Sequence, residues 1–154
     1  MNMRIVRTVL VVALAFAAGF ALARLPQTAR AAAMPLQPAA IDLTGMSLDA
    51  MPTPAAASPN LRSKTLVVTD GMTVAFQIGT VPKHYHADAN EVQVVLEGTG
   101  TEWLGDQQVP LKPGTMLVIP KGTNHAGIIV TSGPLKLVSM KTPPQDPSDV
   151  HFVP

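Results

Sequence analysis

The stretch Gly79-Thr-Val-Pro-Lys-His84-Tyr-His86-Ala-Asp-Ala-Asn-Glu91-Val-Gln93-Val-Val-Leu-Glu-Gly98 decides how this chain is read. His84 and His86 stand two apart, so on a β-strand both imidazoles point to one side, within reach of a single ion. Glu91 follows His86 by five, an odd offset that would send its carboxylate to the other face of an unbroken strand. The intervening Ala-Asp-Ala-Asn must therefore turn or bulge, and Asp88 and Asn90 are residue types that favour such breaks.

A third histidine, His125, follows the turn-forming run Pro120-Lys-Gly122-Thr-Asn124 and begins another β-rich stretch. Three neutral imidazoles and one carboxylate, His84, His86, His125 and Glu91, make a nitrogen and oxygen site for a divalent transition metal: iron, manganese, zinc, nickel or copper. Ligand type alone does not choose among these. The chain contains no cysteine, which excludes a thiolate site, a cysteine nucleophile and a disulfide framework.

Outward from these residues, short β-rich runs at 72–78, 91–96, 101–104, 115–119, 126–130 and 135–140 are separated by turn signals such as Asp70-Gly71, Gly105-Asp106 and Pro113-Gly114. No stretch shows an amphipathic helical period, so the expected fold is all-β, a sandwich or barrel.

The same residues resemble the cupin family. Its first motif is matched by Gly79, His84, His86, Glu91 and Gly98, and its second by Gly114, Pro120, Gly122 and His125. Fifteen residues lie between Gly98 and Gly114, a short intermotif of the kind found in small single-domain bacterial cupins. The match has two departures: four residues instead of five separate Gly79 from His84, and Ile129 stands where many members carry asparagine. The resemblance implies a small cupin-type β-barrel, a double-stranded β-helix or jelly roll, with the metal inside. Strand alternation then places Gln93 and Val95 on the inward face with Glu91, and Gly127 and Ile129 on that of His125, giving a largely apolar pocket. No catalytic residue is assigned. Glu97 reads as a solvated turn residue, the facing of Glu102 is open, and Lys83 and Lys121 read as surface loop lysines.

The flanks read differently. Residues 1–31 form an export signal or membrane anchor: Arg4 and Arg7 precede an uncharged apolar run at 8–23, followed by small-residue sites at 21–23 and 29–31. Sixteen residues at about 1.5 Å each reach roughly 24 Å, short of a hydrocarbon core of about 30 Å, which favours the cleaved signal. Residues 32–60 are rich in Ala and Pro and read as a linker, 61–142 as the barrel, and 143–154 as a Pro-rich tail holding His151. The expected location is the periplasm or the exterior, with membrane contact only through an uncleaved N-terminal segment.

Of the eleven basic residues, Arg4, Arg7, Arg24 and Arg30 lie in the first thirty positions, leaving seven bases against ten acids from Ala31 onward. That balance, with one Trp and one Tyr, excludes a nucleic-acid interface and leaves a small-molecule ligand or substrate as the expected partner. A core of this size also favours a homodimer. Two function classes follow: a metal-dependent oxygenase, isomerase, lyase or decarboxylase, or a domain that only binds or senses a metal or small ligand.

Overall fold

Two long strands organise the molecule: β4 (Asn90–Leu104) and β7 (His125–Thr142) pair antiparallel from Asn90 opposite Thr142 to Leu104 opposite His125. Irregularities at Val95/Glu97, Glu97/Thr99, Thr99/Gly100 and Thr101/Trp103 interrupt the register and curl the pair. The shorter strands β1 (Leu61–Val68), β2 (Thr73–Gly79), β3 (His84–Tyr85) and β8 (His151–Phe152) extend the sheet in the order β1-β2-β7-β3-β8. Strands β5 (Gln107–Leu111) and β6 (Met116–Ile119) both pair with β4. The computed structural model describes residues 36–154, and the expected leader at 1–31 lies outside them. Among the described residues no helix is long and apolar enough to cross a membrane. The all-β barrel expected from the sequence is the fold observed.

Register divides the barrel interior. Glu91 pairs with Lys141, Gln93 with Ser139 and Val95 with Leu137, so three successive inward positions of β4 run from charged to polar to apolar. The apolar part is a buried cluster of Val95, Leu111, Leu117, Ile119, Leu135 and Leu137. Truncating Leu135 to alanine is expected to cost about 2–5 kcal/mol, read as a lower melting temperature.

Within the stretch expected as a linker, Leu43, Met46 and Met51 instead pack on the outer face of the sheet. Met51 is only 5% exposed and packs with Phe76 and Ile78, joined by Leu43 and Met46. Phe76 alternates with inward Ala75 and Gln77, so without this arm its ring would face water. The apolar residues here are too sparse to show a period, which is why composition alone suggested a tether. A chain beginning at Ser58 is therefore expected to be less stable by about 3 kcal/mol than one beginning at Met34, and to aggregate more readily. Equal melting temperatures would show that the arm adds nothing. The tail is also structural: β8 pairs with β3, setting Tyr85 opposite His151, with their rings stacked at 4.8 Å.

Candidate metal centre

Each imidazole is held by its backbone surroundings. His84 Nδ1 donates to the Pro82 carbonyl at 2.9 Å, His125 Nδ1 to the Thr123 carbonyl at 3.0 Å, and His86 Nδ1 to the Asp149 carbonyl. Committing all three Nδ1 protons fixes one tautomer and leaves the three Nε2 lone pairs facing inward. Strand β3 pairs with β7 through His84 opposite His125, which brings the two halves of the site together.

Glu91 supplies the fourth group. Its Oε2 lies 3.1 Å from both His86 Nε2 and His125 Nε2, while its Oε1 accepts from Ser139 Oγ at 2.6 Å, Gln93 Nε2 at 3.0 Å and Lys141 Nζ at 3.1 Å. One carboxylate oxygen is thus tied into the protein and the other faces the histidines. The ligand atoms of His84, His86, Glu91 and His125 lie within 4.8 Å of one another, and all four residues are buried. His86 Nε2 has no hydrogen-bond partner despite its proximity to Glu91. With the Nδ1 protons committed, imidazole lone pairs and a carboxylate oxygen converge on one point, an arrangement that a cation relieves. The donor set could hold a divalent metal, in agreement with the expectation from spacing.

The break between His86 and Glu91 is built as the odd offset requires. The Asp149 carboxylate accepts from the backbone N–H groups of Ala87 at 2.6 Å, Asp88 at 3.2 Å and Ala89 at 3.1 Å, pinning the turn. Burial pushes the Asp149 carboxyl up, but these three hydrogen bonds outweigh it and hold it below its usual value. Asp149 therefore supports both His86, through its carbonyl, and the approach to Glu91, through its carboxylate. Nothing in the sequence of a Pro-rich tail pointed to this role.

The pocket expectations separate. Gln93 reaches the site, and its Oε1 has no partner. Val95 is inward as alternation requires but belongs to the apolar cluster. Ile129 is 57% exposed and Gly127 lies against Trp103 and Lys83, so neither enters the pocket. The reason is a bulge: Thr101 pairs with Ile129 but Trp103 with Ala126, giving β7 one extra residue and inverting the parity after His125. Ala126 and Gly127 both have positive φ, 66° and 59°, and a Cβ on Gly127 would meet Trp103 at 3.1 Å. In consequence Ile128, not Ile129, packs on the core. Lys83 lies over the Trp103 ring at 4.4 Å, and Glu97 pairs with Lys136 at 2.8 Å near the surface.

A cavity of about 250 Å³ opens beside the cluster. Its walls combine His84, His86 and Glu91 with Gln77, Gln93 and Lys141, and Thr53 and Ser58 of the N-terminal arm also line it. The pocket is more polar than the sequence implied. Lys141 and Ser139 were missed because they lie at the far end of β7, distant in sequence from the Glu91 they contact; only the β4–β7 register reveals them.

Burial first, and then the neighbouring His125, lower the His84 imidazole to about 4, so it is a free base at neutral pH. Burial also opposes ionisation of Glu91, but its polar contacts and the charge of Lys141 outweigh it and hold the carboxyl well below its ordinary value. Glu102, whose facing was open, is fully buried, and burial and then the Glu91 charge push it up to about 8. Between the ordinary glutamate value and about 8 the folded state holds a proton that the unfolded state has lost, so stability falls as pH rises through that range. His84 gives the opposite slope between about 4 and its ordinary value near 6.5. The metal-free protein is therefore expected to lose stability from about pH 6.5 to 8, a decline that Glu102→Gln should abolish in denaturant titrations.

Comparison with known proteins comes to the same fold. A cupin-domain family model matches residues 72–141. No curated protein matches the chain. Among solved structures, a protein from Planctomyces limnophilus is 26% identical with a TM-score of 0.57, covering 75% of this chain and 97% of that one. KdgF from Halomonas sp. is 18% identical with a TM-score of 0.53, covering 60% and 86%. Pac13 from Streptomyces, a nucleoside dehydratase also solved with uridine, is 16% identical with a TM-score of 0.52, covering 62% and 80%.

Proposed function

We propose that this chain, a member of the cupin family through its residues 72–141, is an exported protein that holds one divalent transition metal on His84, His86, Glu91 and His125 and uses it on a small polar organic molecule. The observation that carries this reading is the convergence of three tautomer-fixed imidazoles and a carboxylate beside a cavity. A metal held there would supply Lewis-acid polarisation of a ligand oxygen. The chain's own residues do the rest. Lys141, Ser139 and Gln93 hold Glu91 Oε1 and so aim Oε2, while Lys141 presents a cation to the cavity that suits an acidic or hydroxylated ligand. Thr53 and Ser58 add hydroxyls at the wall and narrow the access of water.

Catalysis is favoured over simple binding by the buried Lys141, a polar group lining the cavity besides the candidate ligands. The cupin neighbours include an enzyme solved with uridine, so the fold admits small-molecule substrates. Export rests on the apolar run after Arg4 and Arg7. A homodimer is supported by Met116 and Val118, 62% and 59% exposed on the outer face of β6 beside Val94 and Val92.

The test is thermal melting of the chelated full-length chain with added divalent metals and a panel of small hydroxy acids. Metal should raise the melting temperature, and an acid should raise it further only when metal is present. A melting temperature indifferent to every metal would overturn the reading.

A further inference from the structure

The barrel interior contains a carboxyl that the four-residue site does not use. Glu102 is 0% exposed, and neither carboxylate oxygen has a hydrogen-bond partner. Folds seldom keep such a group unless something outside the protein's own hydrogen bonds engages it. Its position follows from register: Leu104 pairs with His125, and Glu102, two residues back along β4, shares the inward face of Leu104. Glu102 is thus a diagonal neighbour of His125, a relation that spans about 7–8 Å. No hydrogen bond or ion pair joins it to any of the four candidate ligands.

The charges around it have a simple balance. The other buried titratable groups of the interior are Glu91 on β4, His84 and His86 at β3 and just after it, and His125 and Lys141 on β7; the β5 partner of Glu102 is the apolar Val109. Lys83 lies over Trp103. Glu91 and Lys141 neutralise each other across 3.1 Å, so the interior carries no net charge while Glu102 is protonated. A dication among the four ligands brings two positive charges, and the single negative charge of Glu91 is already shared with Lys141. Unmatched buried charge is strongly unfavourable. Asp149 is committed to backbone N–H groups, which leaves Glu102 as the available carboxyl among the described residues.

We propose that Glu102 is the charge-compensating acid of the metal site, keeping its proton while the site holds no cation and releasing it when a divalent cation binds to His84, His86, Glu91 and His125. The O–H bond breaks heterolytically, the electron pair stays on the carboxylate, the proton leaves to solvent, and no redox step is involved. The inference rests on the metal-binding reading and assigns to Glu102 an action through its charge.

The experiment is calorimetric titration of the full-length chain with Zn²⁺ alone, in buffers of different ionisation enthalpy, to count protons released per ion. His84 is already a free base at pH 7 and contributes none. The wild type should release about one proton more than Glu102→Gln at pH 7, and the difference should vanish as pH rises past about 8. Glu102→Gln should still take up Zn²⁺, with affinity weakened roughly tenfold or more above that pH. Equal proton counts in two proteins that both bind Zn²⁺ would overturn the inference. So would a wild-type count that stays constant across pH 8, a result that needs no variant. Failure of the wild type to bind Zn²⁺ is the separate failure of the metal reading and takes this inference with it.

Discussion

Glu91→Gln is expected to lower metal affinity about a hundredfold and to destabilise the metal-free fold by about 3–5 kcal/mol. Both effects come from one carboxylate. Its Oε2 faces His86 and His125, so an uncharged amide there removes the only anion among the four candidate ligands. Its Oε1 neutralises Lys141, which is itself buried, and the amide leaves that ammonium without a counter-charge. The double variant Glu91→Gln/Lys141→Met separates the two: melting should recover most of the lost stability, while metal titration should show affinity still depressed. A Glu91→Gln protein with wild-type melting and wild-type metal affinity would show that Glu91 is neither the partner of Lys141 in solution nor a ligand.

Asp149→Ala should produce the next largest effect. Three backbone N–H groups at Ala87, Asp88 and Ala89 lose a buried acceptor, and a melting temperature lower by about 10 °C is expected. The same turn sets the angle between His86 and Glu91, so metal affinity should fall by about 10- to 100-fold although no ligand has been altered. Asp149→Asn keeps a side-chain oxygen able to accept and should fall between the two. Ser148→Ala, an exposed neighbour, should match the wild type in both measurements. Unchanged metal affinity in Asp149→Ala would mean that the turn positions itself without the tail.

Much of this site could be read from residue spacing, because the constraints on it are local. The two-residue step from His84 to His86 and the odd step to Glu91 together demand a same-face pair and then a break, and both are present. Parity failed at Ile129 for an equally local reason, since a bulge at Ala126 and Gly127 adds one residue and reverses every facing beyond it. Gly127 hinted at that bulge, but the positive φ of Ala126 had no signal in its residue type. Lys141, Ser139 and Asp149 were hidden for another reason. They reach Glu91 and His86 through pairings some 50 to 60 residues distant in sequence, which only the register of β4 with β7 and the docking of the tail establish. Glu102 lay between the two cases, beside Trp103 on a strand whose alternation is broken several times after Val95, so parity could not be carried from Glu91 to it. The arm at 36–60 shows the limit of composition, for Met46 and Met51 are separated by polar and small residues and yet pack with Phe76.

Metal analysis by mass spectrometry bears most directly on the account, applied to the chelated full-length chain after equilibration with Zn²⁺ and removal of free ion. The four-residue site predicts about one ion per chain in the wild type and almost none in His84→Ala or His125→Ala, with both variants still showing the wild-type β-sheet circular dichroism spectrum. Full occupancy in both histidine variants, or none in the wild type, would contradict it.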